Sequence, residues 1–156
     1  MIVTDSREKE NKHILDYFDR HGIEWEKHKL ETGDYMVEGK PETVIERKGS
    51  LTEMAHNLLT ADRSRFYSEI RRARDAGINL IILCEHGGIH GLEDVAKWKP
   101  RFGRASGKKL ADAIFKLEIG YGVPVFYCDP RSTGRRIIEI LTGMNADGGD
   151  EYGIQD

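Results

Sequence analysis

Two cysteines in 156 residues are too few for a disulfide framework or a cysteine zinc cage. Cys84 and Cys128 each close an apolar run and read as buried thiols. No apolar stretch approaches the roughly 20 residues of a membrane helix, which excludes a membrane role. The opening Met1-Ile2-Val3-Thr4-Asp5 offers neither a basic leader nor an apolar signal segment, so an intracellular location, cytoplasm or nucleoid, is expected. Internal repeats and long Pro- or Ser-rich linkers are also missing. A chain of this length reads as one domain, able to bury roughly 70% of its unfolded surface without covalent staples.

What is present is charge: 33% of residues are Asp, Glu, Lys or Arg, with a formal net charge of −3. A negative sum looks unsuited to nucleic acid, but its distribution matters more. Residues 143–156 hold Asp147, Asp150, Glu151 and Asp156 with no base, and this acidic, Gly-rich tail is expected to be disordered. Between Lys97 and Arg136 lie ten Lys or Arg against Asp112, Glu118 and Asp129. Screening acts over about 8 Å at physiological salt, so a phosphate backbone would feel that local excess rather than the total.

Elements alternate along the chain. Residues 2–4 read as a strand and 9–21 as a helix with Ile14, Leu15 and Phe18 at helical spacing, stopped by Gly22. A partly alternating strand over 23–30 precedes two β-rich runs, 33–37 and 43–48, whose intervening Glu38-Gly39-Lys40-Pro41 marks a hairpin. Ser50 and Glu53 form a capping box for the next helix, and Asp62 caps another running to about Ala76. Residues 78–84 are a buried strand, 106–120 a helix, 123–127 a strand and 132–141 a final helix. The order β-α-β-β-β-α-α-β-α-β-α predicts an α/β domain of three layers, a central mixed β-sheet flanked by helices.

The hairpin predicts which side chains meet. Glu46 and Lys48, two apart on one strand, share a face, and a turn centred near Lys40 sets Asp34 across from Glu46 on that face. Asp5, ending the first strand, would add a third carboxylate. Carboxylates that close raise one another's pKa unless a cation intervenes, and one lysine does not offset three. Hard oxygen donors suit Mg²⁺, with Mn²⁺ as substitute, shared with a substrate phosphate. The cluster points to metal-assisted attack on a phosphodiester. Elsewhere, Lys97-Trp98-Lys99-Pro100-Arg101-Phe102-Gly103-Arg104 interleaves bases with aromatics, as a single-strand or junction-binding loop can, or forms an ordinary surface loop. His86 and His90 lack the ligand count of a metal site, and Glu85 stands at a strand end without an assignable partner.

The spacing from Asp34 to Glu46-Arg47-Lys48 resembles the D…(D/E)xK signature of the restriction-endonuclease-like superfamily. Flanking words narrow it. Asp5-Ser6-Arg7-Glu8 resembles the D-x-R-E opening of the XPF-type structure-specific endonucleases, Gly33-Asp34-Tyr35 their G-D-Y, Ile45-Glu46-Arg47-Lys48 their E-R-K, and Arg65-Phe66-Tyr67-Ser68-Glu69 their R-(F/L)-x-x-(Q/E). The resemblance covers residues 1–142, a nuclease domain of restriction-endonuclease-like fold. Thr52 stands where that family usually carries an Asp after its E-R-K, which makes the adjacent Glu53 a second-tier candidate. Residues 143–156 are too short to form the tandem helix-hairpin-helix domain common in that family, and the expectation is a short domain resembling those of phage and prophage.

The resemblance implies roles. Asp34 and Glu46 would ligate Mg²⁺, with Asp5 binding directly or through water. Lys48 would orient or deprotonate the attacking water and offset charge on the phosphoryl oxygens. Arg47, pointing to the opposite face and grouped with these catalytic residues, would brace the site or meet a neighbouring phosphate. Arg7 and Arg65 would clamp phosphates, and Lys99, Arg101, Arg104 and Lys108 would contact DNA. The expectation is a metal-dependent DNA endonuclease acting on branched, flap or junction DNA in recombination or repair, as a homodimer or with a heteromeric partner. Its rivals are a catalytically idle DNA-binding or scaffolding module and a sequence-specific restriction-type endonuclease.

Overall fold

The computed structural model of the chain describes residues 1–101 and 105–143. Its elements in chain order are β1 (Ile2–Asp5), α1 (Lys12–Arg20), β2 (Trp25–His28), β3 (Tyr35–Val37), β4 (Lys40–Lys48), α2 (Leu51–Leu59), α3 (Arg63–Asp75), β5 (Asn79–Glu85), α4 (Leu92–Lys97), α5 (Gly107–Tyr121), β6 (Val125–Cys128) and α6 (Thr133–Thr142). The strands make one mixed sheet in the order β2-β1-β3-β4-β5-β6, antiparallel only where β3 meets β1 and β4. Helices cover both faces, so the mixed three-layer α/β architecture expected from the pattern of elements is observed.

Alternation along the strands divides the interior into two cores. Ile45 and Leu83 point toward α1 and α6, where they meet Ile14, Phe18, Tyr35 and Ile137. Ile82 and Cys84 point the other way, toward Leu51, Met54, Phe66, Ile70, Leu110 and Ile114 of α2, α3 and α5. Each such side chain contributes roughly 1.5–3 kcal/mol on burial. The two cysteines are free and buried, as their sequence setting implied, and the structure sets them on opposite faces of the sheet.

Departures from the sequence reading have local causes. The first helix begins at Lys12, not Lys9, because Glu10 takes a φ of 57°, incompatible with the helix. A further six-residue helix, α4, occupies 92–97, too short to show periodicity. Asp62 precedes α3 but makes no capping bond; its carboxylate accepts from Arg65 and from Asn57 Nδ2. At α2 the capping box forms in modified shape. Ser50 Oγ accepts the Glu53 N–H at 3.1 Å, while the Glu53 carboxylate accepts that of Gly49 rather than Ser50.

The hairpin holds the main correction. Its turn is Glu38-Gly39, pairing Val37 with Lys40, and is not centred near Lys40. A β-bulge beyond the turn shifts the register so that Tyr35 pairs with Ile45. Pro41, which lacks a ladder donor, lies in this irregular stretch. The shift restores the juxtaposition at the far end: Asp34 N–H donates to Ile45 O at 2.7 Å, which brings Asp34 level with Glu46.

Candidate active site

Three neighbouring strands each bring one carboxylate to the sheet face covered by α3. Asp5 ends β1, Asp34 immediately precedes β3, and Glu46 lies on β4; β1 and the β3 segment are joined by Asp5 N–H to Asp34 O at 2.8 Å. All three line one open cleft of about 380 Å³, roofed by Arg65, Phe66, Glu69 and Arg72 of α3. Gly33 sets the approach. Its φ is +73°, and a Cβ there would lie 2.1 Å from Val44 Cγ1 and 3.0 Å from Ile45 O, so only glycine lets the chain turn Asp34 in against β4.

Asp34 Oδ2 accepts the main-chain N–H of Arg47 at 2.8 Å. Burial, then Glu46 and Glu8, push its carboxyl up to about 8, against the smaller lowering influences of that hydrogen bond and Lys48. Lys48 is buried, its Nζ 2.9 Å from Glu46 Oε2 and 4.8 Å from the centre of the Phe66 ring. Asp5 is more fully engaged. Arg7 forks onto it at 3.0 and 3.2 Å, and the Leu30 N–H reaches Oδ1 at 2.8 Å. Arg7, on the exposed rim, also donates to Leu30 O at 2.7 Å.

Among the described residues no group of three or more His, Cys, Asp or Glu is arranged to hold a metal ion. Mg²⁺ is characteristically held by only one or two carboxylates plus water and a substrate phosphate. Asp34 and Glu46 fit that demand: they are hard oxygen donors facing one cleft, and the Glu46 charge helps push the Asp34 carboxyl above its usual range. Asp5 fits as a ligand through water, or directly once Arg7 releases it.

The structure distributes the other sequence candidates unevenly. Arg65 lines the cleft and is paired with Asp62 and Glu69. Lys99 and Arg101, on the segment between α4 and α5, and Lys108, in the first turn of α5, are exposed and lie outside the cleft; Arg104 falls outside the described residues. Trp98 stacks edge-on against His86, whose Nδ1 accepts the Leu51 N–H, so this segment sits beside the start of α2. Glu53 is exposed, with its carboxylate on Gly49.

Arg47 turns its guanidinium to the α1/α6 face, 7% exposed. There it donates to Glu8 through Nε at 2.7 Å and Nη2 at 3.1 Å, to Lys9 O at 2.7 Å, and through Nη1 to Glu85. Of the two roles read for it, bracing fits this geometry. Glu8 also accepts from Tyr35 OH at 2.7 Å, and Tyr35 OH from Asn11 at 3.2 Å. The Glu85 carboxylate pairs with His13 Nε2 at 2.5 Å and accepts from Thr133 Oγ1 at 2.5 Å. Sequence reasoning assigned no role to Glu8, His13, Glu85 or Thr133. Glu8 could have been found within Asp5-Ser6-Arg7-Glu8, whereas His13 and Thr133 meet Glu85 across 72 and 48 residues and carry no local signal. Arg72, which carries no motif signal in the sequence, also lines the cleft.

The ERCC4 domain matches residues 4–141 of this sequence. The chain belongs to the ERCC4 domain family. Its fold is similar to that of XPF from Aeropyrum pernix, with a TM-score of 0.69 at 22% identity over 94% of this chain and 67% of that one. A second structure of that protein, in complex with DNA, superposes with a TM-score of 0.68 at 21% identity over 90% of this chain and 62% of that one. This ERCC4 domain thus spans about two thirds of the archaeal chain. No curated protein matches it in sequence. Among the described residues of the domain, no helix is long and apolar enough to cross a membrane.

Proposed function

We propose that this ERCC4 domain is a Mg²⁺-dependent endonuclease that hydrolyses phosphodiester bonds in branched, flap or junction DNA during recombination or repair. The observation that carries the reading is the convergence of Asp5, Asp34 and Glu46 on one cleft, with the Lys48 amine 2.9 Å from Glu46. Family membership and the likeness to an archaeal protein solved with DNA support a DNA substrate.

A bound Mg²⁺ would supply Lewis acidity and an activated water, held by Asp34 and Glu46 with Asp5 outside them. The chain's own residues supply the rest. Arg47 N–H fixes one Asp34 oxygen so that the other faces the cleft. Lys48 holds Glu46 in one orientation and places a positive charge where phosphoryl oxygens become more negative. Arg7 and Arg65, which both line the cleft, are candidates to take backbone phosphates, and Arg7 would exchange Asp5 for phosphate in doing so. Phosphodiester hydrolysis asks for on the order of 20 kcal/mol of barrier lowering, so losing one of these groups has a large effect. Lys99, Arg101, Arg104 and Lys108 are proposed as outlying DNA contacts, and a second copy or a partner subunit as the means of gripping a branched substrate.

The test is a panel of fork, flap and Holliday-junction DNAs with linear controls, incubated with Mg²⁺, with Mn²⁺ and with chelator. Metal-dependent cutting that follows branching supports the reading, and cutting that follows base sequence favours a restriction-type enzyme. The engagement of both Asp5 oxygens by Arg7 and Leu30 favours a second reading, an idle DNA-binding module, which binding without cleavage under every metal condition would establish.

A further inference from the structure

Behind the cleft, on the other face of the sheet, lies a buried charge cluster that the proposed chemistry does not use. Its centre is Glu85, at the end of β5, side chain 4% exposed. Donors from three separate elements converge on this one carboxylate: His13 of α1, Thr133 at the start of α6, and Arg47 of β4. A surface-fold ion pair has no need of three such partners. The consequence runs through Arg47, whose guanidinium is clamped between Glu85 and Glu8 while its own main-chain N–H, one peptide unit away, holds Asp34 Oδ2. Side chains alternate across a strand, so Arg47 is the one residue of the Glu46-Arg47-Lys48 run that can be gripped from behind without occupying the cleft.

We infer that Glu85, set by His13 and Thr133, is a positioning residue: by locking the Arg47 side chain it holds the Arg47 N–H against Asp34 and so orients the cleft carboxylate from the opposite side of the sheet. The inference rests on the nuclease reading for its effect on rate, but its structural half stands apart from it. Outer partners that orient a metal-binding group act in this way, and their loss typically costs 10–100-fold in affinity or activity.

The test uses the full chain with Glu85→Gln, which keeps the shape and removes the charge, and Thr133→Val, which removes a single donor and protects the experiment if Glu85→Gln folds poorly. Amide hydrogen exchange reads the lever without metal or DNA. Protection of the Arg47 N–H should fall roughly tenfold in Glu85→Gln and less in Thr133→Val, while the Leu83 and Ile82 amides of the neighbouring strand keep theirs. Initial rates on the branched substrate that proves best should show kcat lowered by roughly tenfold or more with KM unchanged, as expected for a group that orients rather than binds. Unchanged protection at Arg47, or an equal loss at all three amides, overturns the inference. A wild-type chain that never cuts DNA overturns the nuclease reading instead, and leaves the exchange result to decide the role of Glu85.

Discussion

The two faces of β4 carry the same kinds of side chain to opposite ends. On the α1/α6 face, Arg47 is enclosed by Glu8 and Glu85, all three side chains nearly buried, with His13, Thr133 and Tyr35 supplying further hydrogen bonds. On the α3 face, Asp34 and Glu46 share an open cleft with Lys48 as the nearest cation, and the Asp34 carboxyl is pushed up to about 8. One cluster is satisfied by the chain itself; the other is left needing something from outside. Sites where a protein leaves electrostatics unsatisfied are where function concentrates, and the contrast across a single strand separates scaffold from chemistry more sharply than residue type does.

The strongest way to break the comparison is to remove the unsatisfied side. Asp34→Asn and Lys48→Ala should each lower Mg²⁺-dependent cleavage by on the order of 10²–10³-fold or more, measured as initial rates on branched DNA, with far-UV circular dichroism unchanged. A fully active Lys48→Ala chain would remove the mechanism. Arg47→Ala attacks the satisfied side. It leaves Glu8 and Glu85 buried without their cation and should cost about 3–5 kcal/mol in urea denaturation, a stability effect that Asp34→Asn should not show.

The pH dependence sharpens the same point. A carboxyl at about 8 in the folded chain and near 3.8 unfolded keeps its proton longer when folded, so the wild type loses stability as pH rises between those values and no further above them. Asp34→Asn removes that loss. Its melting temperature should match the wild type near pH 4 and exceed it by pH 8. Mg²⁺ should raise the wild-type melting temperature at pH 8 and leave that of Asp34→Asn nearly unmoved. The smallest effect belongs to Arg65→Ala on the cleft rim: stability within about 0.5 kcal/mol, and a salt slope of DNA binding reduced by about one, read by fluorescence anisotropy.

Much of this was legible in the chain. Asp34, Glu46 and Lys48 could be placed together because hairpin registers follow from spacing, and the expected register is observed despite a different turn: the bulge between Tyr35 and Val37 compensates for a loop one to two residues earlier than expected. Cysteine burial, the two-sided layering and the start of α2 at Ser50 followed from pattern alone. Helix α4 escaped because six residues contain too little periodicity to detect, and the α1 start because a single positive φ at Glu10 has no sequence signature. Arg72 has no motif around it, and its place at the cleft depends on α3 lying over the sheet.

By itself the sequence determined the order of elements apart from α4, the alternation that sends Glu46 and Lys48 one way and Arg47 the other, and the glycine that admits Asp34. These depend on residues near one another in the chain, where periodicity and backbone sterics operate. Only the tertiary structure decided that Asp5 would accept the Leu30 N–H, and that Glu85 would gather His13, Thr133 and Arg47. Those contacts join segments tens of residues apart, and which polar groups meet there is set by how helices pack on the sheet, a choice no local pattern encodes.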